Sequence, residues 1–530
     1  MWILAALSGH AVPLLCGLLC VYMVSRSLVY AKLRRFGGPV WTGFTDWPHS
    51  MAMLQNNCHE WYAGISEKYG PIARVAPEVL VTSSPEVWMH VCSKPGYKRS
   101  DWFYNACRIE HRRDNIFSQT DNGKHERRRK QMAPGYSGRE NLDFELSIDL
   151  RVQEFIGLIR SKYLSSDGQV VPMDLGQKVQ YFTLDVISAV GLGKTFGMLR
   201  SDSDVDDYLK SSQEGLSMGN AALAMGFSGL AHTPLIGRFI APSPTDNSGF
   251  GKMMAACFRY VDERAANPTD KRSDMLASFI RHGLSGDELR SEVLEQIIAG
   301  SDTTASAICG TLLHVMTNPR VYAKLQREVD DAVRDSGAPR AREGLIATTQ
   351  VKQLPYLQAV VREGLRVWPP VASIFPRDVP PGGDTVVVDG EDVFLPGGVC
   401  VGYSAYAMHH SEAVYGADAK AFRPERWFES DPGKLAAMVR TNDLIFGHAK
   451  SQCLGKSVAQ VEIRKAVFEV CGPCPPRRYH LAERPQLLRN FDMALINPTH
   501  PWEAHNCLGL FAISNMWVQV MERKPLEILV

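Results

Sequence analysis

The sequence lacks an excess of charge of either sign. The chain carries 58 Lys and Arg against 57 Asp and Glu, a formal net charge of +1, so no chain-wide basic field marks nucleic acid as a partner. Cysteine is thin, 12 residues in 530 without regular spacing, which excludes a disulfide framework and suits a reduced compartment. The 43 Gly and 31 Pro follow no period, and neither a repeat nor a Ser/Gly linker divides the chain, so collagen-like, solenoid and disordered architectures are excluded. With 45% hydrophobic and 22% charged residues, the remainder is ordinary globular composition, and the length suits one large domain plus an appendage.

The appendage comes first. From Trp2 to Val24 the sequence is almost continuously apolar, close to the ~20 residues that span a bilayer. Arg26, Lys32, Arg34 and Arg35 follow, and such a basic flank keeps the downstream chain on the cytoplasmic side. A cleaved secretory peptide would carry charge before the apolar run, and this one opens Met1-Trp2-Ile3. The expectation is a transmembrane signal anchor over residues 1–30 and a single domain over 31–530.

Within that domain, Pro71 to Ser84 alternates β-branched and small residues and reads as a hairpin. Apolar spacings of three and four predict helices around 145–163, 178–199, 288–316, 319–335, 353–367 and 455–469, with β-rich pieces near 384–402 and 509–522. The class is mainly α with small β-sheets.

Four constellations carry chemistry. In the 288–316 helix, Ala299-Gly300-Ser301-Asp302-Thr303-Thr304 interrupts an apolar face. Either Thr303 bonds its own preceding turn, or Asp302 and Thr303 form an acid–alcohol pair that relays protons to a bound oxygen ligand, with Gly300 supplying room. Glu363 and Arg366 share a helix face that ends at Pro369-Pro370; alone they read equally as a solvated ion pair. Arg426, in Phe422-Arg423-Pro424-Glu425-Arg426-Trp427, has the planar fork to join them in a buried network. The fourth is Phe446-Gly447-His448-Ala449-Lys450-Ser451-Gln452-Cys453-Leu454-Gly455, directly before an apolar helix. A Cys entering a helix N-terminus meets free N–H groups that favour its thiolate. Gly447 permits a tight turn, and Gly455 permits close approach of a flat cofactor. A thiolate on iron opposite an open site is the arrangement for breaking an O–O bond; a buried structural Cys is the plainer reading.

In their order and separation these motifs resemble the cytochrome P450 family of haem-thiolate monooxygenases, over about Gly70 to Lys524. The likeness is nearest to fungal, pisatin-demethylase-like members of secondary metabolism, through Gly70 to Pro77, Asn497 to Trp502 and Asn515 to Val518. The resemblance implies haem b with Cys453 as the axial ligand to its iron, Phe446, Gly447 and Gly455 shaping the cysteine loop, and His125, Arg129 and Arg377 on the propionates. It also implies a Glu363–Arg366–Arg426 network supporting that loop. Two positions depart from the family's loop: Ala449 stands where Gly is common, and Ser451 where a basic residue meets a propionate, with Lys450 beside it.

The implied activity is insertion of one oxygen atom from O2 into an apolar small molecule, with Thr303 and Asp302 managing protons. No flavin or nicotinamide fingerprint is present, so electrons come from a partner, NADPH-cytochrome P450 reductase, with cytochrome b5 as a second candidate donor, at the endoplasmic reticulum membrane. Substrate contacts are expected from Trp102 to Phe117, the turns before Thr303, Val371 to Phe375 and Gly509 to Ser514. The alternatives are a haem-thiolate isomerase or dehydratase, and a catalytically impaired haem-binding protein.

One segment breaks the pattern. After Phe468-Glu469 the chain meets Val470-Cys471-Gly472-Pro473-Cys474-Pro475-Pro476, which cannot extend a helix. Cys-Gly-Pro-Cys lacks the strand that precedes a thioredoxin-type motif. Val470 to Gln486 has instead the marks of a retained intron: a whole number of codons, a Val codon beginning GT, a Gln codon that can end in AG, and a helical period restored when Glu469 is joined to Leu487.

Overall fold

The computed structural model describes residues 2–110, 112–231, 233, 235–267, 272–335, 345–471 and 491–522. The chain divides into two compact units, residues 1–100 with 373–408, and residues 101–372 with 409–530.

The first unit opens with helix α1 (Trp2–Leu33). Among the described residues no helix is long and apolar enough to cross a membrane, so the expected span is not shown; most side chains of its first half lie outside the described residues. The predicted hairpin is present as Ile72–Ala76 and Val79–Thr82, paired antiparallel. It belongs to a five-stranded sheet continued by Cys400–Tyr403, Arg377–Asp378 and Lys98–Arg99, in which Val79–Thr82 and Cys400–Tyr403 run parallel. A separate hairpin, Asp384–Val388 with Glu391–Leu395, turns at Asp389 and Gly390, both at positive φ, the requirement of a two-residue turn that follows strand twist.

The second unit is mostly helical. Its site-bearing helices are α2 (Asn122–Tyr136), α3 (Leu175–Leu192), α4 (Tyr208–Ala224), α5 (Gly286–Met316), α6 (Pro355–Val367), α7 (Pro432–Asp443) and α8 (Lys456–Cys471). Helix α5 is the axis: 31 residues long, it packs against α3, α6, α8 and the strand Leu510–Ser514. Asp287 and Glu288 in its first turn complement the positive end of its dipole. Helix α8 buries Val461, Ile463, Val467 and Phe468 as their spacing predicts. It runs two residues beyond the expected end at Glu469, to Cys471. The rest of Val470 to Gln486, from Gly472 onward, lies outside the described residues.

Candidate functional site

The centre of α5 is buried on nearly every side except one. Ala299 is exposed and Glu295, Gly300 and Thr303 are half-buried, while Glu292, Ile298, Asp302 and Thr304 around them are buried. Residues 295, 299 and 303 fall on one stripe at the four-residue spacing of a helix face. Thr303 Oγ1 donates to Ala299 O at 2.8 Å, so its hydroxyl rests on its own preceding turn without breaking the helix. Asp302 points elsewhere: Ser212 Oγ, on α4, donates to its Oδ2 at 3.1 Å. Burial pushes the Asp302 carboxyl up to about 6, against the pull of that hydroxyl. Acid and alcohol are thus neighbours in sequence but lie on different faces, and among the described residues no hydrogen bond joins them. Gly300 does not leave the expected gap, because a Cβ there would meet Ile187 Cγ1 at 2.6 Å. What requires glycine is the close crossing of α3.

The cysteine loop follows α7. Cys453 N donates to Phe446 O at 2.7 Å and Gly447 N to Leu444 O at 2.8 Å, closing two successive turns. Gly447 has φ +75, and a Cβ on it would meet Ser451 O at 2.6 Å, so both conformation and space demand glycine. Ala449 also sits in the left-handed region, at φ +50, which accounts for the glycine common at that position.

Cys453 is exposed, yet its surroundings are dense enough for desolvation to raise its thiol pKa. The N–H groups of Gly455 and Lys456 and the charges of Arg129 and Lys456 pull the other way without prevailing, so the helix terminus alone does not ionise the thiol as the sequence suggested. Nothing in the chain fills the place of a side chain at Gly455, where a Cβ would find only Cys453 Sγ, at 3.8 Å.

His125 and Arg129 lie one turn apart on α2, whose start is capped by Asp121 accepting from Lys124 N at 2.8 Å. His125 is buried. Arg129 is half-buried, lowered in pKa by desolvation, and has Cys453 as its charge neighbour; among the described residues no carboxylate pairs with it. Lys450 turns outward to Glu126 Oε2 at 3.1 Å and does not replace the basic residue absent at Ser451. Arg377 is in the other unit, buried, with Nη1 donating to Phe375 O at 2.7 Å and its guanidinium over the Trp88 ring.

The Glu363–Arg366 pair is fully buried, not solvated. Arg366 Nε donates to Glu363 Oε2 at 2.9 Å and Arg426 Nε to Glu363 Oε1 at 2.9 Å. Trp427 Nε1 and Arg423 N complete the carboxylate's shell at 3.0 and 2.9 Å. The remaining guanidinium donors reach the carbonyls of His409, Ala421, Tyr415 and Asp418. Asn442 Nδ2 donates to Arg362 O at 3.3 Å, tying the end of α7, and hence the start of the cysteine loop, to α6.

These donors fit a flat anionic macrocycle. Arg129 is a partly desolvated cation with no carboxylate partner among the described residues, Gly455 leaves a side-chain space empty, and Cys453 offers one exposed sulfur-bearing residue. Among the described residues no group of three or more His, Cys, Asp or Glu could hold a metal ion.

Two of the expected substrate segments meet directly: Ala372 N donates to Gly509 O at 2.9 Å, and Val371 bridges Leu510. A third, Trp102 to Phe117, reaches α5 through Asn115 and Ile116. Sequence reasoning missed Ser212, Glu292 and Glu295, while Asn115 fell within an expected segment without being singled out. Only Glu295 left a signal, standing two helical turns before Thr303.

Residues 39–470 match the sequence profile described as cytochrome P450. Among characterised proteins, the chain is 34% identical to cytochrome P450 monooxygenase ABA1 of Pyricularia oryzae, over 98% of each. It is 35% identical to cytochrome P450 monooxygenase aba1 of Botryotinia fuckeliana, over 92% of this chain and 90% of that one. With cytochrome P450 monooxygenase abl1 of Leptosphaeria maculans it shares 30% identity over 96% and 87%.

Proposed function

The chain belongs to the cytochrome P450 family and is a haem-dependent monooxygenase, and from that premise we propose how its residues divide the work. Haem b, when bound, supplies the oxygen-activating iron. Cys453 would provide the thiolate that binds the iron, with the N–H groups of Gly455 and Lys456 favouring its ionised form. His125 and Arg129 on α2 would hold the propionates; Arg377 keeps the same expected role from the family resemblance alone. Phe446, Gly447 and Gly455 would shape the cysteine loop to accept a flat cofactor.

Thr303 lies on the partly exposed stripe and would pass protons to the bound oxygen, its hydroxyl turning from Ala299 O, to which it donates at 2.8 Å, to do so. Asp302, raised toward neutrality and bonded to Ser212, is a proton reservoir one residue away; its route to Thr303 requires water or a rotamer change. The Glu363–Arg366–Arg426 network fixes the segment before α7, and through α7 the cysteine loop.

Around this core we propose the arrangement common to such enzymes. Residues 1–30 act as an endoplasmic-reticulum anchor, argued from the apolar run and its basic flank. Residues 31–530 form the catalytic domain, and NADPH-cytochrome P450 reductase, with or without cytochrome b5, delivers electrons. An apolar small molecule of fungal secondary metabolism is the substrate. Val470 to Gln486 is an insertion, a reading supported by the family match ending at residue 470.

The observation that carries the site assignment is Cys453, its sulfur-bearing residue open to solvent within otherwise dense protein, beside an Arg129 guanidinium that no carboxylate neutralises among the described residues. The carbon monoxide difference spectrum of the reduced protein tests it. A strongly red-shifted Soret band is expected, absent in Cys453→Ser; a band that survives this substitution refutes the assignment. NADPH-dependent incorporation of labelled oxygen then separates the monooxygenase from an isomerase or dehydratase, which needs neither.

A further inference from the structure

Two acids in the first half of α5, Glu292 and Glu295, take no part in the roles assigned so far. Glu292 is satisfied: Ile116 N donates to its Oε2 at 3.0 Å and the Arg128 guanidinium pairs with its Oε1. Arg128 also holds Glu288, at 2.9 Å. Among the described residues Glu295 has one hydrogen-bond partner, Asn115 Nδ2, donating to Oε2 at 3.1 Å. Among the described residues no cation pairs with it.

The surroundings fix its protonation. Burial, and then the like charge of Glu292, push the Glu295 carboxyl up to about 8. The nearby Tyr136 phenol is pushed up too, chiefly by burial, so it stays neutral and adds no counter-charge. A carboxylate in such a place without a cation is costly, and the group keeps its proton instead. Oε2 is already the acceptor for Asn115, so the proton sits on Oε1. Glu295 is nonetheless half-buried rather than sealed, on the stripe it shares with Ala299 and Thr303. Eight residues of helix place its backbone about 12 Å from that of Thr303.

We propose that Glu295 is a specificity-determining residue whose neutral carboxyl donates a hydrogen bond to a carbonyl or hydroxyl oxygen of an otherwise apolar substrate. The oxygen lies about two helical turns from the carbon that is oxidised. This rests on the assignment of Thr303 to the reacting end of the site. It names the substrate class as an elongated, mono-oxygenated hydrocarbon, and it gives Asn115 the task of orienting the acid.

The test uses the full-length haem-loaded chain, its carbon monoxide band verified first, titrated calorimetrically with 2-dodecanone, dodecane and dodecyltrimethylammonium. Wild type is expected to bind the ketone about tenfold more tightly than the alkane, the worth of one neutral hydrogen bond. Glu295→Ala should abolish that preference. Glu295→Gln should keep most of it, because an amide N–H replaces the acid O–H while its carbonyl still accepts from Asn115. An undiminished ketone preference in Glu295→Ala overturns the proposal, as does a wild type that prefers the ammonium probe. Absence of the carbon monoxide band from every form strikes instead at Cys453, so the two failures are distinguishable.

Discussion

Replacing Ala449 by Gly should stabilise the cysteine loop. Ala449 holds φ +50, a conformation that costs a residue with a Cβ about 1–2 kcal/mol. Glycine adopts it freely but loses about 0.5–1 kcal/mol more backbone entropy on folding, leaving a net gain of about 0.5–1 kcal/mol. The alanine methyl is exposed, so no apolar burial is lost to offset this. Across a chain of 530 residues unfolding entropy is on the order of 1 kcal/mol per degree, so the melting temperature moves by only about 1 °C. The local assay is sharper. Haem release requires the loop to open, and relief of about 0.5–1 kcal/mol slows that step by roughly two- to fivefold. Ala449→Val, β-branched at positive φ, should accelerate release. The measurement is the rate of haem transfer to an acceptor protein, for all three forms. Equal rates would refute the strain reading and leave the φ of Ala449 without energetic consequence.

Glu363→Gln removes the one anion shared by two buried guanidinium groups, and a loss of about 3–5 kcal/mol is expected; urea unfolding measures it, and a change within error would show that the network is dispensable. Asp302→Asn addresses pH. Its carboxyl titrates near 6 in the folded protein against 3.8 in the unfolded chain, so it contributes stability that is complete below about pH 4 and lost as pH rises through 6, on the order of 3 kcal/mol in all. The wild type should therefore lose stability relative to the variant between those values, and a constant difference across pH would contradict it. Deleting Val470 to Gln486 should raise the fraction of protein showing the red-shifted carbon monoxide band; a lower fraction, or transcripts that always retain the segment, would end the intron reading.

Much of this arrangement was legible because local rules governed it. The hairpin at Ile72 to Thr82, the helix through Thr303 and the turn before Cys453 follow from periodicity, propensity and glycine placement, all of which act over a few residues. What was illegible depended on partners distant in the chain. Glu363-x-x-Arg366 is written identically whether solvated or buried; only the arrival of Arg426, Trp427 and the carbonyls of residues 409–421 decides. Gly300 was read as room for a ligand because Ile187, on another helix, was invisible. Asp302 was read as Thr303's partner because adjacency in sequence hides a rotation of about 100° between consecutive residues on a helix. Lys450 carried the right charge beside Ser451, and Glu126 on α2 claims it.

The Glu363 network also bears on how the chain acquires its structure. Its carboxylate and one of its guanidinium partners, Arg366, lie on α6, while its other donors, Arg423 N, Arg426 and Trp427, come from a stretch some sixty residues downstream with little regular structure of its own. Neither side is stable alone: a desolvated carboxylate awaits its donors, and a string of carbonyls awaits two guanidinium forks. Such an assembly closes as one event, after the loop-closure entropy has been met and with no stable halfway state. Ordering of residues 409–427 and seating of the Glu363 carboxylate are therefore expected to be coupled, so that loosening either loosens the other and, through α7, the cysteine loop.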